Sequence, residues 1–330
     1  MRTNVSRPAI FLLAWLSLAA AEAVADPLWQ DDLNWLKTMA FAAHQTDYSG
    51  TFVYQYGNHV ESSRITHIAD RDGEHGRLEG LEGVRREIIR DNDQVRSFLG
   101  DSKVKSEECH RGREFPALLP EQLSLLNENY RVKQVAEGRV AGFHAHAVLF
   151  QAKDNLRYTH RMWAHSDSGL LLKAEVLDER GRVIEQYAFT QLTIGGNIDR
   201  SWIAPAKPAG VSAVQKTHSG YGKKAQESGV TSGWQVDLLP AGFKKIVEMR
   251  RRMGDKKEPV IHMVYSDGLA GISVFIEASD GEQDDNLGLS SQGALQVYSK
   301  VVGDLLVRVV GEVPPRTVMQ IADSVRYVGK

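Results

Sequence analysis

Cysteine is almost missing from this chain of 330 residues: Cys109 stands alone. A single thiol excludes an intramolecular disulfide and any disulfide-stapled scaffold. Its neighbours Glu107, Glu108 and His110 do not make it a nucleophile. Adjacent carboxylates disfavour a thiolate, and sequence neighbours rarely supply nucleophile and base geometry. A buried or merely tolerated Cys is the better reading. A basic excess is missing too, with 40 Lys and Arg against 42 Asp and Glu and a net charge of −2. That argues against a nucleic-acid partner. No G-x-S-x-G, H-E-x-x-H or P-loop occurs, so nothing in the motifs forces an enzyme. No run after residue 25 is long and apolar enough to span a bilayer.

What is present begins with a leader. Arg2 and Arg7 precede the apolar run from Ala9 to Leu16, and small residues end in Ala23-Val24-Ala25. This is the pattern of a secretory signal peptide over 1–25, cleaved after Ala25, and it predicts an exported, periplasmic protein. Losing Arg2, Arg7 and Glu22 moves the net charge from −2 to −3. About 305 residues then remain, more than one core usually holds, so two domains are expected.

Asp26-Pro27 reads as a helix start. Trp29, Leu33, Leu36, Met39, Ala40 and Ala43 then recur at helical spacing. Strands are expected at 51–56 and 60–68 around the Gly57-Asn58 turn, and at 84–90 and 94–99 around Asp91-Asn92-Asp93. A short helix over 121–127 follows Pro120, then strands at 140–151, 156–164, 170–177 and 183–192, parted by short polar or glycine turns. Regular spacing with tight turns means an antiparallel meander. The expected fold is mainly β with α: a curved sheet over 26–203 with helices on one face. A linker rich in Pro, Gly and Ser over 204–232 leads to a small domain over 233–330. That domain carries about five antiparallel strands and a last helix opened by Pro314-Pro315, whose Val318, Ile321, Ala322 and Val325 share a face.

Between Arg157 and Gly181 the chain gathers His160, His165, Asp167 and Ser168. Residues five apart on a strand point to opposite faces, so His160 and His165 do not converge. His144 and His146 share a face, but no third ligand sits near them in sequence. No catalytic residue, metal site or cofactor is expected. The aromatics stand out instead: Phe52, Tyr54, Tyr56, Phe98, Tyr158, Trp163 and Tyr187. Singly, each reads as ordinary core. Together, they are candidates to line a hollow for something apolar, because a curved sheet with two helices leaves space to fill. Arg250, Arg251 and Arg252, with Lys256 and Lys257, are either a solvated hairpin end or a contact for phosphate or an anionic membrane.

The run from Tyr158 to Gly169, then Lys173 to Gly181 and Glu185-Gln186-Tyr187, resembles the MucB/RseB periplasmic regulators. The likeness continues in Leu238-Leu239-Pro240-Ala241-Gly242-Phe243 and in Tyr265-Ser266-Asp267-Gly268-Leu269. The large domain of that family is similar in turn to periplasmic lipoprotein carriers. The resemblance implies an unclosed antiparallel β-barrel over 26–203. It also implies a negative regulator of an extracytoplasmic-stress sigma factor. Such a regulator binds the periplasmic segment of a single-span membrane anti-sigma factor and shields it from site-1 proteolysis. Release would follow sensing of misplaced lipid or lipopolysaccharide, and self-association as a homodimer stays open. A lipid or lipoprotein carrier using the same hollow is the alternative, and a periplasmic hydrolase the third reading. The second domain favours the regulator over the carrier, and the missing nucleophile motif counts against the hydrolase.

Overall fold

The computed structural model describes residues 29–92, 94–100, 102–103, 115–120, 123, 126–202, 216–217, 231–251, 259–279 and 287–329. The leader, Cys109, Arg252, Lys256 and Lys257 lie outside the described residues. Among those described, no helix is long and apolar enough to cross a membrane.

Two antiparallel sheets carry the chain. The N-terminal sheet is built from β1 (Tyr48–Tyr56), β2 (His59–Asp70), β3 (Gly73–Gly80), β4 (Arg86–Asp91), β5 (Gln94–Leu99) and β6 (Ser102–Lys103). It continues with β7 (Tyr130–Val140), β8 (Phe143–Ala152), β9 (Thr159–His165), β10 (Leu171–Leu177), β11 (Val183–Ile194) and β12 (Lys216–Thr217). Their order is β12-β5-β4-β3-β2-β1-β11-β10-β9-β8-β7, with β6 on β5. β1 is the seam, because it pairs with β2 on one side and with the distant β11 on the other. β7 and β12 end the ladder without pairing each other, so the sheet is unclosed. Within the expected linker, Lys216 and Thr217 pair with Val95 and Gln94, so that stretch also extends the sheet.

The C-terminal sheet is built from β14 (Lys244–Arg251), β15 (Val260–Ser266), β16 (Gly271–Ala278), β17 (Gly288–Gln292), β18 (Leu295–Val302) and β19 (Leu305–Gly311). Their order is β14-β15-β16-β19-β18-β17. A separate two-stranded ribbon joins β13 (Trp234–Val236) to β20 (Val325–Tyr327).

One face of each sheet is covered. α1 (Trp29–Gln45) lays Leu36, Met39, Ala40 and Ala43 on the N-terminal sheet, each at most 4% exposed. Phe115, Leu119 and Leu123 cover the same face, as do Leu126 of the short α2 (Leu126–Asn129) and Tyr130 at the start of β7. In the C-terminal half α3 (Pro315–Asp323) starts on Pro315 at its first turn, where a missing N–H costs nothing. It buries Val318, Ile321 and Ala322 on Val274, Ile276, Val307 and Val309.

The differences from expectation have physical causes. β3 carries Gly73, Gly76 and Gly80 with charges between them, so no alternation announced it. β7 is an edge strand with most of its side chains exposed and likewise lacks a period. The strand expected over 140–151 is β8, and its first residues form the Ala141-Gly142 turn, both at positive φ. Val325, expected on the last helix, begins β20, because the helix ends where the Ser324 N–H bonds the Ile321 carbonyl. β13, β17 and β20 are too short or too exposed for a pattern.

Candidate functional site

Strand pairing fixes which aromatics share a face. Tyr54 lies opposite Tyr187 on β11, and Tyr187 opposite Ala174 on β10. Ala174 lies opposite Met162 on β9, and Met162 opposite Val148 on β8. Phe52, Tyr54, Tyr56 and Tyr187 therefore stand on the covered face. Trp163 does not: it pairs with Ala147 and Lys173, on the opposite face. There its ring rests over Gly138 and its indole N–H donates to Glu175 at 3.3 Å. Phe98 pairs with Glu87, while its neighbour Ser97 pairs with Ile88 and through Ile88 with Leu78 of the covered face. Phe98 therefore also faces away. The expectation that all seven aromatics line one hollow is corrected for these two. In β9 both parities carry bulky apolar groups, and the smaller Met162 and Ala164 took the core.

The covered aromatics form a packed column. Tyr54 stacks on Tyr187 with ring centroids 4.6 Å apart, and Tyr187 stacks on Phe115 at 5.6 Å. Phe115 also touches Phe52 and Phe189, each at 5.1 Å. Such pairs contribute about 0.5–1.5 kcal/mol each beyond the area they bury. Phe52, Tyr54, Phe115 and Phe189 are all buried. The space beneath Phe52 is thus occupied by a side chain of the protein itself, Phe115.

The outer end of this column meets the C-terminal half. The Tyr54 hydroxyl donates to Glu185 Oε2 at 3.1 Å, and the same oxygen accepts the Ala294 N–H at 2.9 Å. Gln292 donates to the Tyr56 hydroxyl at 3.0 Å. Tyr158, also expected in the hollow, accepts from Gln296 Nε2 at 3.4 Å, and burial pushes its phenol up to about 12.

A second contact between the halves is ionic. Arg157 Nη1 donates to Asp267 Oδ2 at 2.6 Å, and both side chains are fully buried. Arg157 Nη2 donates to the Ala241 carbonyl at 2.6 Å, and Tyr130 Oη to Asp267 Oδ2 at 2.9 Å. The guanidinium lies over the Tyr130 and Phe243 rings, at 5.6 and 5.3 Å. Burial alone would lower the Arg157 pKa; the Asp154 hydrogen bond and the Asp267 charge reverse that. Burial raises the Tyr130 phenol, and the Asp267 charge raises it further. Asp267 Oδ1 accepts the Leu269 and Ala270 N–H groups, so one carboxylate shapes its own turn and grips the other half.

At the far end of α1, His44 Nδ1 and His67 Nε2 each lie 3.2 Å from Glu74 Oε1. His67 Nδ1 faces the Thr46 carbonyl at 2.8 Å, and its ring stacks on Tyr48. Burial would raise the Glu74 carboxyl, but hydrogen bonds from His44 and His67 outweigh it and hold the group well below the ordinary range. Three of the histidines weighed as ligands in the sequence have local partners. His146 meets Trp35 and Gln134, His160 packs on Tyr130, and His165 bonds Ser168. Arg250 is exposed on the edge strand β14; of Arg251 only the backbone is described.

The family model for the MucB/RseB N-terminal domain matches residues 31–207, and that for the MucB/RseB C-terminal domain matches residues 228–326. The chain belongs to the MucB/RseB family. It is 32% identical over 318 residues to the sigma factor AlgU regulatory protein MucB of Pseudomonas aeruginosa, covering 94% of this chain and 96% of that protein. It is 27% identical to the sigma-E factor regulatory protein RseB of Salmonella typhimurium, with 97% of each covered. Its fold matches a structure of the Pseudomonas aeruginosa MucA/MucB complex with a TM-score of 0.72 and 28% identity, over 91% of this chain and 100% of that one.

Two of the stretches that carried the likeness to MucB/RseB proteins are contact points between the halves. Leu238–Phe243 supplies the Ala241 carbonyl and Phe243 ring for Arg157, and Tyr265–Leu269 supplies Asp267. Gly242, at φ +83°, presses on Asn129 so closely that any Cβ would overlap its amide. Nothing in the sequence marks these residues as contacts. A buried Arg has no local signature, and its partner stands 110 residues away.

Proposed function

We propose that this chain is a periplasmic regulator that binds the periplasmic segment of a membrane anti-sigma factor. By covering that segment it holds back site-1 proteolysis, and so restrains an extracytoplasmic-stress sigma factor. The observation that carries this reading is the near full-length match to MucB solved together with MucA. The leader over 1–25 supports the periplasm as its compartment. A pull-down with the anti-sigma factor's periplasmic segment tests it. Capture at low micromolar concentration is expected; failure there would favour a lipid or lipoprotein carrier.

Lipid or lipopolysaccharide is the proposed release signal, read on the covered face of Phe52, Tyr54 and Tyr187. An acyl chain contributes roughly 0.8 kcal/mol per buried methylene, or on the order of 8 kcal/mol for a long one. It must first displace Phe115, whose packing is worth about 3–5 kcal/mol by the usual cost of Phe→Ala. What is left falls short of the about 5.5 kcal/mol that carries a two-state equilibrium from mostly bound to mostly released. Release therefore calls for more than one chain, which a multiply acylated lipid such as lipopolysaccharide supplies and a free fatty acid does not. A fatty acid that releases the partner as efficiently as lipopolysaccharide would count against this. The chain works as two domains, 26–203 and 233–330, joined over 204–232. Limited proteolysis is expected to cut first between Pro205 and Ser232.

A further inference from the structure

Among the described residues, the contacts between the halves are unequal. At the Arg157–Asp267 contact, an ion pair at 2.6 Å is joined by the Ala241 carbonyl, the Tyr130 hydroxyl and two aromatic rings. Thr317 Oγ1 adds a bond to the Leu156 carbonyl at 2.8 Å, the neighbouring Arg316 pairs with Glu179, and Leu269 packs into the N-terminal core. The other contact is one hairpin turn. Gly293-Ala294 joins β17 to β18, and β17 is the exposed edge of its sheet. Its bonds to the N-terminal half come from Gln292, Ala294 and Gln296, at 3.0, 2.9 and 3.4 Å, and the Gln292 bond is open to solvent.

The turn fits its seat closely. Gly293, at φ +60°, sits where a Cβ would crowd the Glu185 carboxylate, the Tyr56 Cβ and the Tyr54 hydroxyl. The seat is also the outer end of the aromatic column, because the Tyr54 ring that bonds Glu185 stacks on Tyr187, and Tyr187 stacks on Phe115. A shift of Phe115 therefore reaches the turn through two ring contacts.

We propose that the Gly293-Ala294 turn is a releasable latch on the aromatic wall and that the Arg157–Asp267 contact is the pivot about which the C-terminal half swings when the latch opens. In its coupling to lipid, though not in the latch itself, this rests on the reading that an acyl chain displaces Phe115.

Amide hydrogen exchange on the full chain tests it. The Ala294 N–H reports the latch, and the Leu269 and Ala270 N–H groups, bonded to Asp267, report the pivot. Gly293→Val, by crowding and backbone strain, and Glu185→Gln, by weakening the acceptor, should each speed exchange at Ala294 at least tenfold. Protection at Leu269 and Ala270 should stay within about twofold. Unchanged exchange at Ala294 in both variants overturns the latch. Equal loss at all three amides also overturns it, since the halves would then part as one contact. Tyr54→Phe, which keeps the ring and removes only the hydroxyl, should give a smaller increase at Ala294. Lipopolysaccharide added to the parent protein should speed Ala294 exchange alone. If the variants open the latch and lipopolysaccharide leaves Ala294 protected, the lipid reading fails and the latch stands.

Discussion

The two halves solve the same problem with different materials. The C-terminal core is aliphatic and β-branched: Val274, Val309, Val313, Val318 and Ile321 are fully buried, closed over by the regular helix α3. The N-terminal core is aromatic around Phe52, Phe115, Tyr130, Phe150 and Phe189, and part of its cover is the irregular stretch at 115–119. Branched side chains under a helix interlock and leave one arrangement. Flat rings under a segment without ladder hydrogen bonds are held by burial and ring packing. The cover of the N-terminal core is thus partly irregular chain, and that of the C-terminal core is a helix.

The comparison breaks most severely at the ion pair that unites the halves. Asp267→Ala leaves the Arg157 guanidinium buried without its main partner, a change that costs about 3–5 kcal/mol. Calorimetry should resolve the variant into two unfolding transitions; a single unshifted one would show that the halves are coupled elsewhere. Next, Phe115→Ala should cost about 3–5 kcal/mol and Ile321→Ala about 2–5 kcal/mol. Each loss should appear in the transition of its own half, read by proteolysis of each half during denaturant unfolding. Only Phe115→Ala should also lower the lipopolysaccharide concentration needed for partner release.

Acid sharpens the contrast further, because Glu74 belongs to the N-terminal half alone. Its carboxyl is held below its ordinary value of 4.5 in the folded state. Its contribution is therefore present above that value and is lost as pH falls towards the folded pKa. Glu74→Gln should flatten the acid loss of stability in the N-terminal transition and leave the other unchanged. The smallest effect is expected at Arg250, exposed on β14. Arg250→Glu should weaken association with anionic vesicles by about 1 kcal/mol per charge removed, at low salt only.

Elements with an internal period were legible in the sequence. α1, the β1–β2 hairpin, the strands β8 to β11 and α3 each repeat apolar residues at their own spacing. β3 and β7 were not, since glycines in one and edge exposure in the other erase the alternation. The aromatic residues of the site were legible as a set, but their partition between faces was not. Phe98 and Trp163 sit on strands where either parity would serve as core, and only register decides. Nothing local marks Glu185 and Asp267 as buried, because each finds a partner in the other half.

β7 carries a consequence for the behaviour of many copies together. Among the described residues no strand pairs along its outer side, and such an edge is the template on which strands from separate molecules add. Arg131, Lys133 and Arg139 punctuate it. Val135 has no counterpart on β8: the register passes from Gln134–Val148 to Ala136–Ala147 and leaves it as a bulge. An approaching strand would meet repeated positive charge and a backbone that twists out of register halfway along. Deleting Val135 would straighten that edge. The shortened protein should keep its fold yet gather into thioflavin-positive aggregates at concentrations where the parent stays dispersed.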